Sequence, residues 1–195
     1  SVKDAAIASL KLLHTNIAST RAFSENDGRP FIVFDHVDGR PLSACLDEWG
    51  NLSEGEAKAL LSPIAGAIDY AHGKEIVHED IRPSNIIVDN STVPYIVGFL
   101  VARKAREAVS RTEGGNAAGP ISWMSPEQLL GKPPSKEQDV YSFAAVAYEC
   151  LSGHPPFSRG QIEYQILNCG PEPLKPETPF TRAVMRALSK DPAAR

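Results

Sequence analysis

Apolar positions along this chain switch between helical and extended spacing, and the switches mark out its elements. Ile7, Leu10 and Leu13 recur at helical spacing, which predicts a short amphipathic helix from Ala5 to Leu13. His14-Thr15-Asn16-Ile17 breaks it. Two extended runs, Ile17 to Phe23 and Phe31 to Val37, flank the turn-rich Glu25-Asn26-Asp27-Gly28 and predict an antiparallel hairpin. From Leu42 onward the pattern turns helical. A short helix is predicted from Ser43 to near Trp49-Gly50. Ser53-Glu54-Gly55-Glu56 then has the spacing of a capping box. The helix it opens carries Leu60, Leu61, Ile64, Ile68 and Ala71 to a stop at Gly73. Short strands are predicted around Ile76-Val77, Ile86 to Val88 and Tyr95-Ile96-Val97. Arg103 to Gly119 is polar, includes Gly114-Gly115, and reads as a surface loop. Asp139 to Leu151 is strongly apolar with few charges, fit for the centre of a core. Phe180 to Ser189 is predicted as a final amphipathic helix.

Composition narrows the picture without naming a chemistry. The 195 residues are 42% hydrophobic and 23% charged, as in an ordinary globular protein, and suffice for one substantial core. A net charge of -4 gives no electrostatic reason to expect nucleic acid or an anionic membrane as partner. Cys45, Cys150 and Cys169 are odd in number and widely spaced, so neither a metal site nor a disulfide framework follows from them. No apolar run is long enough to span a bilayer. Ser1-Val2-Lys3-Asp4 reads as helix interior, so the expectation is a trimmed domain or fragment.

Two stretches carry chemistry. His78-Glu79-Asp80-Ile81-Arg82-Pro83-Ser84-Asn85 resembles the catalytic loop of the protein kinase family, H-R-D-[LI]-[KR]-P-x-N, with Glu79 in place of Arg. Gly98-Phe99-Leu100 falls where that family keeps D-F-G. Other landmarks stand in the family's order. Leu13-His14-Thr15-Asn16-Ile17 looks like the turn after helix αC, and Phe34 to Gly39 like the gatekeeper and hinge. Ser125-Pro126-Glu127 is similar to A-P-E, Asp139 to Phe143 to the start of the buried αF helix, and Gly153 to Phe157 to the loop after it. Lys190 to Arg195 resembles K-D-P-x-x-R. The wording Met124-Ser125-Pro126-Glu127-Gln128 leans toward the bacterial serine/threonine branch.

The resemblance covers nearly the whole chain and implies an α+β, protein-kinase-like fold. It places a partial β small lobe over residues 1–37 and a mainly helical large lobe, without its last helix, over 38–195. It implies Asp80 as the acceptor of a substrate hydroxyl's proton, Arg82 as the cation beside the transferred phosphate, and Asn85 as a metal ligand. Bracing the loop by hydrogen bonds is the alternative for Asp80 and Asn85. Phe34, Asp35, Val37 and Ile87 would surround adenine. His78, Phe99, Glu127, Asp139 and Arg195 would hold the frame together.

The departures point the other way. Gly98 offers no oxygen to Mg2+, which prefers hard oxygen ligands, so among the family's metal positions only Asn85 is left. Leu100 removes a glycine's backbone freedom. Ala5 stands where the αC Glu would be, and Glu79 reverses the charge that grips a phosphorylated activation loop. The first expectation is therefore a catalytically impaired pseudokinase, acting as a signalling or binding module. The alternative is an active serine/threonine kinase transferring the ATP γ-phosphate to a protein hydroxyl. A nucleotide sensor that takes ATP without metal is a third reading. The partner is a protein, with a dimer through the exposed hairpin edge as a further expectation. The location implied is cytoplasmic, either alone or as the cytoplasmic part of a membrane protein. Arg103, Lys104, Arg106 and Arg111 read as a solvated loop rather than an anion site, and Trp49 and Trp123 as packing residues.

Overall fold

Three strands precede the first described helix and two more lie between helices, in a computed structural model that describes residues 10, 12–26, 29–99 and 121–195. The expected αC helix with Ala5, the loop over 103–119 with its basic cluster, and Leu100 lie outside the described residues. Strands β1 (Thr20–Asn26) and β2 (Arg29–Phe34) form the antiparallel hairpin. Strands β3 (Gly39–Pro41), β4 (Ile86–Asp89) and β5 (Pro94–Ile96) form an antiparallel sheet in that order. The helices are α1 (Leu42–Trp49), α2 (Glu54–Gly73), α3 (Pro126–Leu129), α4 (Lys136–Ser152), α5 (Ile162–Asn168) and α6 (Pro179–Ala187).

Several boundaries differ from the sequence expectation, each for a local reason. The hairpin begins at Thr20 because Ile17 bridges Ile96 instead, with Ala18 donating to the Ile96 carbonyl at 3.0 Å. Ile76-Val77 is not a strand. The Ile76 amide closes the end of α2 on the Ala71 carbonyl at 3.0 Å, and the His78 amide, two residues on, donates to the Asp139 carboxylate. β3 was not predicted, since three residues hold too little pattern to read. Helix α4 starts at Lys136, ahead of its apolar run, and α5 carries no clear stripe. Helix α6 opens at Pro179, behind the Thr178 cap, and ends at Ala187. Of the apolar positions read at helical spacing, Leu13 is 74% exposed, while its neighbour Leu12 is buried. Trp49 is exposed at the end of α1, whereas Trp123 packs on the core as expected.

The core lies around α2, which packs on α4 and also meets strand β5 of the three-stranded sheet. Tyr141, Ala145, Val146 and Cys150 of α4 meet a core that includes Ile64, Ala67 and Ala71 of α2. Ile86 and Ile96, on paired strands, close it from the sheet side. The capping box predicted at Ser53 is present, with Ser53 Oγ accepting from the Glu56 amide and Glu56 accepting from the Ser53 amide. Ser125 with Gln128 and Thr178 with Thr181 repeat the device on α3 and α6.

Lys190 gives the fold a measurable pH signature. Its ammonium lies 4.5 Å from the Phe157 ring centroid and 5.6 Å from that of Tyr141. Burial pulls its pKa down from 10.5 to about 8. Between those values the unfolded chain holds a proton that the folded chain has lost, so this group makes stability rise with pH. Burial pushes the Cys150 thiol up to about 12 and also raises Tyr141, which lowers stability once their unfolded forms ionise. The Lys190 effect is therefore read as a difference. Urea unfolding from pH 8 to 10 should show wild type gaining on Lys190→Met as pH rises. Parallel curves would remove the depressed lysine from the account.

Candidate functional site

Asp139 is the anchor on which the site is built. It is 1% exposed at the start of α4, and its carboxylate accepts three hydrogen bonds. Two come from consecutive backbone amides, His78 at 2.7 Å and Glu79 at 3.0 Å; the third comes from His72 Nε2 at 2.8 Å. Charge-assisted bonds of this kind fix a backbone more firmly than neutral ones. They hold Glu79 at φ 70, a left-handed conformation that is uncommon for a residue with a side chain. The Glu79 carbonyl is tied from the opposite side by Gln128 Nε2 at 2.9 Å.

His78 lies wholly inside this frame. Its Nε2–H donates to the Val97 carbonyl at 3.0 Å, and its Nδ1 accepts from the Asp80 amide at 3.2 Å. A ring that accepts at one nitrogen and donates at the other is neutral. Burial pushes its pKa below the usual imidazole value, outweighing the pull of Asp139 and Asp80. The Phe99 ring packs on it with centroids 4.5 Å apart, which sets Phe99 and hence Gly98 in register with the loop.

Asp80 and Asn85 meet across the turn Pro83–Asn85. Asn85 Nδ2 donates to the Asp80 carbonyl and to its Oδ2, both at 2.7 Å. Arg82 Nε lies 3.3 Å from the same Oδ2, an electrostatic contact, since that buried nitrogen makes no hydrogen bond among the described residues. The Val97 amide donates to the Asn85 carbonyl at 2.9 Å, which brings the strand before Gly98 alongside. Asp80, Arg82, Asn85 and Gly98 therefore come together. The residues expected around adenine are divided. Asp35 and Val37 line an open cleft of about 460 Å3 with Asp38, Asp89 and Tyr95, whereas Phe34 and Ile87 do not line it. Phe34 ends β2, and Ile87 pairs with Pro41 and Tyr95 in the small sheet.

Away from the loop, Glu127 and Arg195 form a buried ion pair at 2.8 Å, their side chains 7% and 1% exposed. Arg195 also donates to the carbonyls of Ser189 and Glu137.

A protein kinase domain model matches residues 5–191. The chain belongs to the protein kinase family. Among curated relatives, serine/threonine-protein kinase PknD of Mycobacterium tuberculosis (strain CDC 1551 / Oshkosh) is 31% identical over 194 residues, covering 95% of this chain and 29% of that protein. Serine/threonine-protein kinase PknH of Mycobacterium bovis (strain ATCC BAA-935 / AF2122/97) is 30% identical, covering 95% and 32%. Probable serine/threonine-protein kinase PknB of Corynebacterium glutamicum is 31% identical, covering 95% and 31%. The chain thus spans about a third of the length of these relatives. The α+β kinase fold and the bacterial serine/threonine branch read from the sequence agree with these matches. No described helix is long and apolar enough to cross a membrane.

As a kinase site, the donor set does not fit Mg2+ in the family's way. Gly98 has no side-chain oxygen, and the Asn85 amide already spends its nitrogen on Asp80, leaving one carbonyl oxygen. Among the described residues no three His, Cys, Asp or Glu side chains gather as a metal site.

The sequence reading missed three contributors. His72 was hidden on the otherwise apolar face of α2, and a polar residue in that stripe was the available signal. Gln128 stands three residues after Ser125, the spacing of a capping box, but its reach to Glu79 is tertiary. Glu149, which accepts from Trp123 Nε1 at 2.7 Å, carried no local signal.

Proposed function

We propose that the chain works as a serine/threonine-protein-kinase domain, moving the γ-phosphate of ATP to a hydroxyl of a protein substrate. The observation that carries this reading is the Asp80 carboxylate, held by Asn85 and faced by Arg82 in a loop locked onto Asp139. Asp80 takes the proton of the incoming hydroxyl as its oxygen bonds to phosphorus, while the bond from phosphorus to the β,γ-bridging oxygen breaks and ADP departs. Arg82 offers its charge to the phosphoryl oxygens; compared with lysine, a guanidinium spreads that charge over a planar fork. The relatives, named as serine/threonine-protein kinases, support the same activity. The substrate is a protein, and the need for ATP places the domain in the cytoplasm.

Gly98 favours a second reading, a kinase-fold binding module with little or no transfer, because efficient phosphoryl transfer depends on neutralising phosphate charge. One experiment separates the two. The full-length protein is incubated with ATP, a divalent cation and a library of serine and threonine peptides, and phosphopeptides are counted by mass spectrometry. The kinase reading expects transfer that falls about a hundredfold in Asp80→Asn, the low end for loss of a general base. Absence of transfer, or transfer indifferent to Asp80→Asn, leaves the binding module.

A further inference from the structure

We infer that the cleft between helix α6 and the segment leading into it docks a partner-protein segment in which acidic residues flank an apolar side chain. The cleft encloses about 840 Å3. None of the residues lining it belongs to the Asp80 loop, so the inference stands under either reading above.

Its floor is apolar and its rim is cationic. Leu174 is buried and Met185 half-buried in the cleft, and a thioether side chain adapts to varied partners. Lys175, Arg182 and Arg186 stand exposed around them. Arg182 and Arg186 lie four residues apart on α6, so their charges share one face and repel. Glu177 is the one carboxylate among the lining residues, and it reaches Arg182 at 3.4 Å. Among the described residues, Lys175 and Arg186 have no carboxylate within 4 Å. The chain as a whole carries a net charge of -4, so this gathering of cations runs against its own balance. Two uncompensated cations beside an apolar floor complement an acidic segment that carries one apolar anchor. Opposite charges steer the encounter, and the desolvated anchor holds it. A concave cleft suits a peptide better than a bilayer, which would meet the rim charges and miss the floor.

The test uses the full-length protein and three labelled peptides, read by fluorescence anisotropy. The first is rich in Asp and Glu around a central Leu. The second replaces that Leu with Ser, and the third replaces the acids with Lys. Wild type should bind the first about tenfold more tightly than the third, and high salt should erase that preference by screening exposed charges. Lys175→Glu and Arg186→Glu change exposed side chains. Each should weaken the first peptide about fivefold, the scale of turning one exposed attraction into a repulsion. Met185→Ser should remove the difference between the first and second peptides. No preference for acidic over basic peptide, or binding indifferent to both charge variants, overturns the inference. Arg186-dependent binding to phosphatidylserine vesicles without peptide binding also overturns it, by assigning the cleft to a membrane. An Arg186-dependent dimer in sedimentation without peptide binding does the same, by assigning it to a second copy.

Discussion

Arg195→Met should destabilise the kinase domain by about 3–5 kcal/mol, the cost of stripping one partner from a buried ion pair. The Glu127 carboxylate is 7% exposed, and Arg195 is the cation that compensates it. Methionine fills the space without the charge. It also strips donors from the Ser189 and Glu137 carbonyls, which Arg195 binds at 2.9 and 2.8 Å. For a domain of this size such a loss lowers Tm by roughly 10 °C. Glu127→Met combined with Arg195→Met should recover much of it, because removing both charges also removes the desolvation cost. The loss has a catalytic consequence too. Gln128 follows Glu127 on α3 and holds the Glu79 carbonyl, so loosening α3 frees one side of the Asp80 loop. Urea unfolding of the single and double variants decides it. A single-variant loss under about 1 kcal/mol, the worth of a surface pair, would show that the charge is not buried in solution.

The way this site was legible from the chain, and where it was not, follows from distance along the sequence. His78 to Asn85 could be read because its contacts are short in range. Asn85 binds Asp80 five residues away, and His78 binds Asp80 two residues away. Phe99 could be placed because strand β5 fixes its register against β4, and the ring then reaches His78. The Ser53 capping box was complete within four residues. The supports that went unread lie far off in sequence: His72 is 67 residues from Asp139, and Gln128 is 49 from Glu79. Nothing in either local pattern specifies such a partner. Ile76-Val77 failed as a strand for the complementary reason. Two β-branched residues have strand propensity, but the amides there and just after had better acceptors in Ala71 and Asp139.

Gly98→Asp should raise Mg2+-dependent phosphotransfer by roughly a thousandfold, which corresponds to about 4 kcal/mol of barrier. That is the several kcal/mol expected from Lewis-acid stabilisation by a properly held metal. One feature of the structure makes room for the substitution and one opposes it. No described atom lies within 4 Å of where a Cβ would stand, but Gly98 has φ +86. The left-handed backbone costs an L-residue about 1–2 kcal/mol, and aspartate is among the residues that visit it most readily. The new carboxylate would start one residue after Val97, whose amide donates to the Asn85 backbone carbonyl at 2.9 Å, so the segment that carries it already runs alongside Asn85. Two control variants isolate the charge. Gly98→Ala accepts the same strain without an oxygen and should not gain activity. Gly98→Asn matches aspartate in shape and in tolerance of the backbone, but brings a neutral ligand, so it should gain much less. Single-turnover transfer from ATP to a serine peptide, with and without Mg2+, measures all three against wild type. A rise confined to aspartate and to Mg2+ makes the missing carboxylate the principal brake on chemistry in an otherwise competent loop. If aspartate gains nothing, the deficit lies elsewhere in the domain, and the binding-module reading is strengthened.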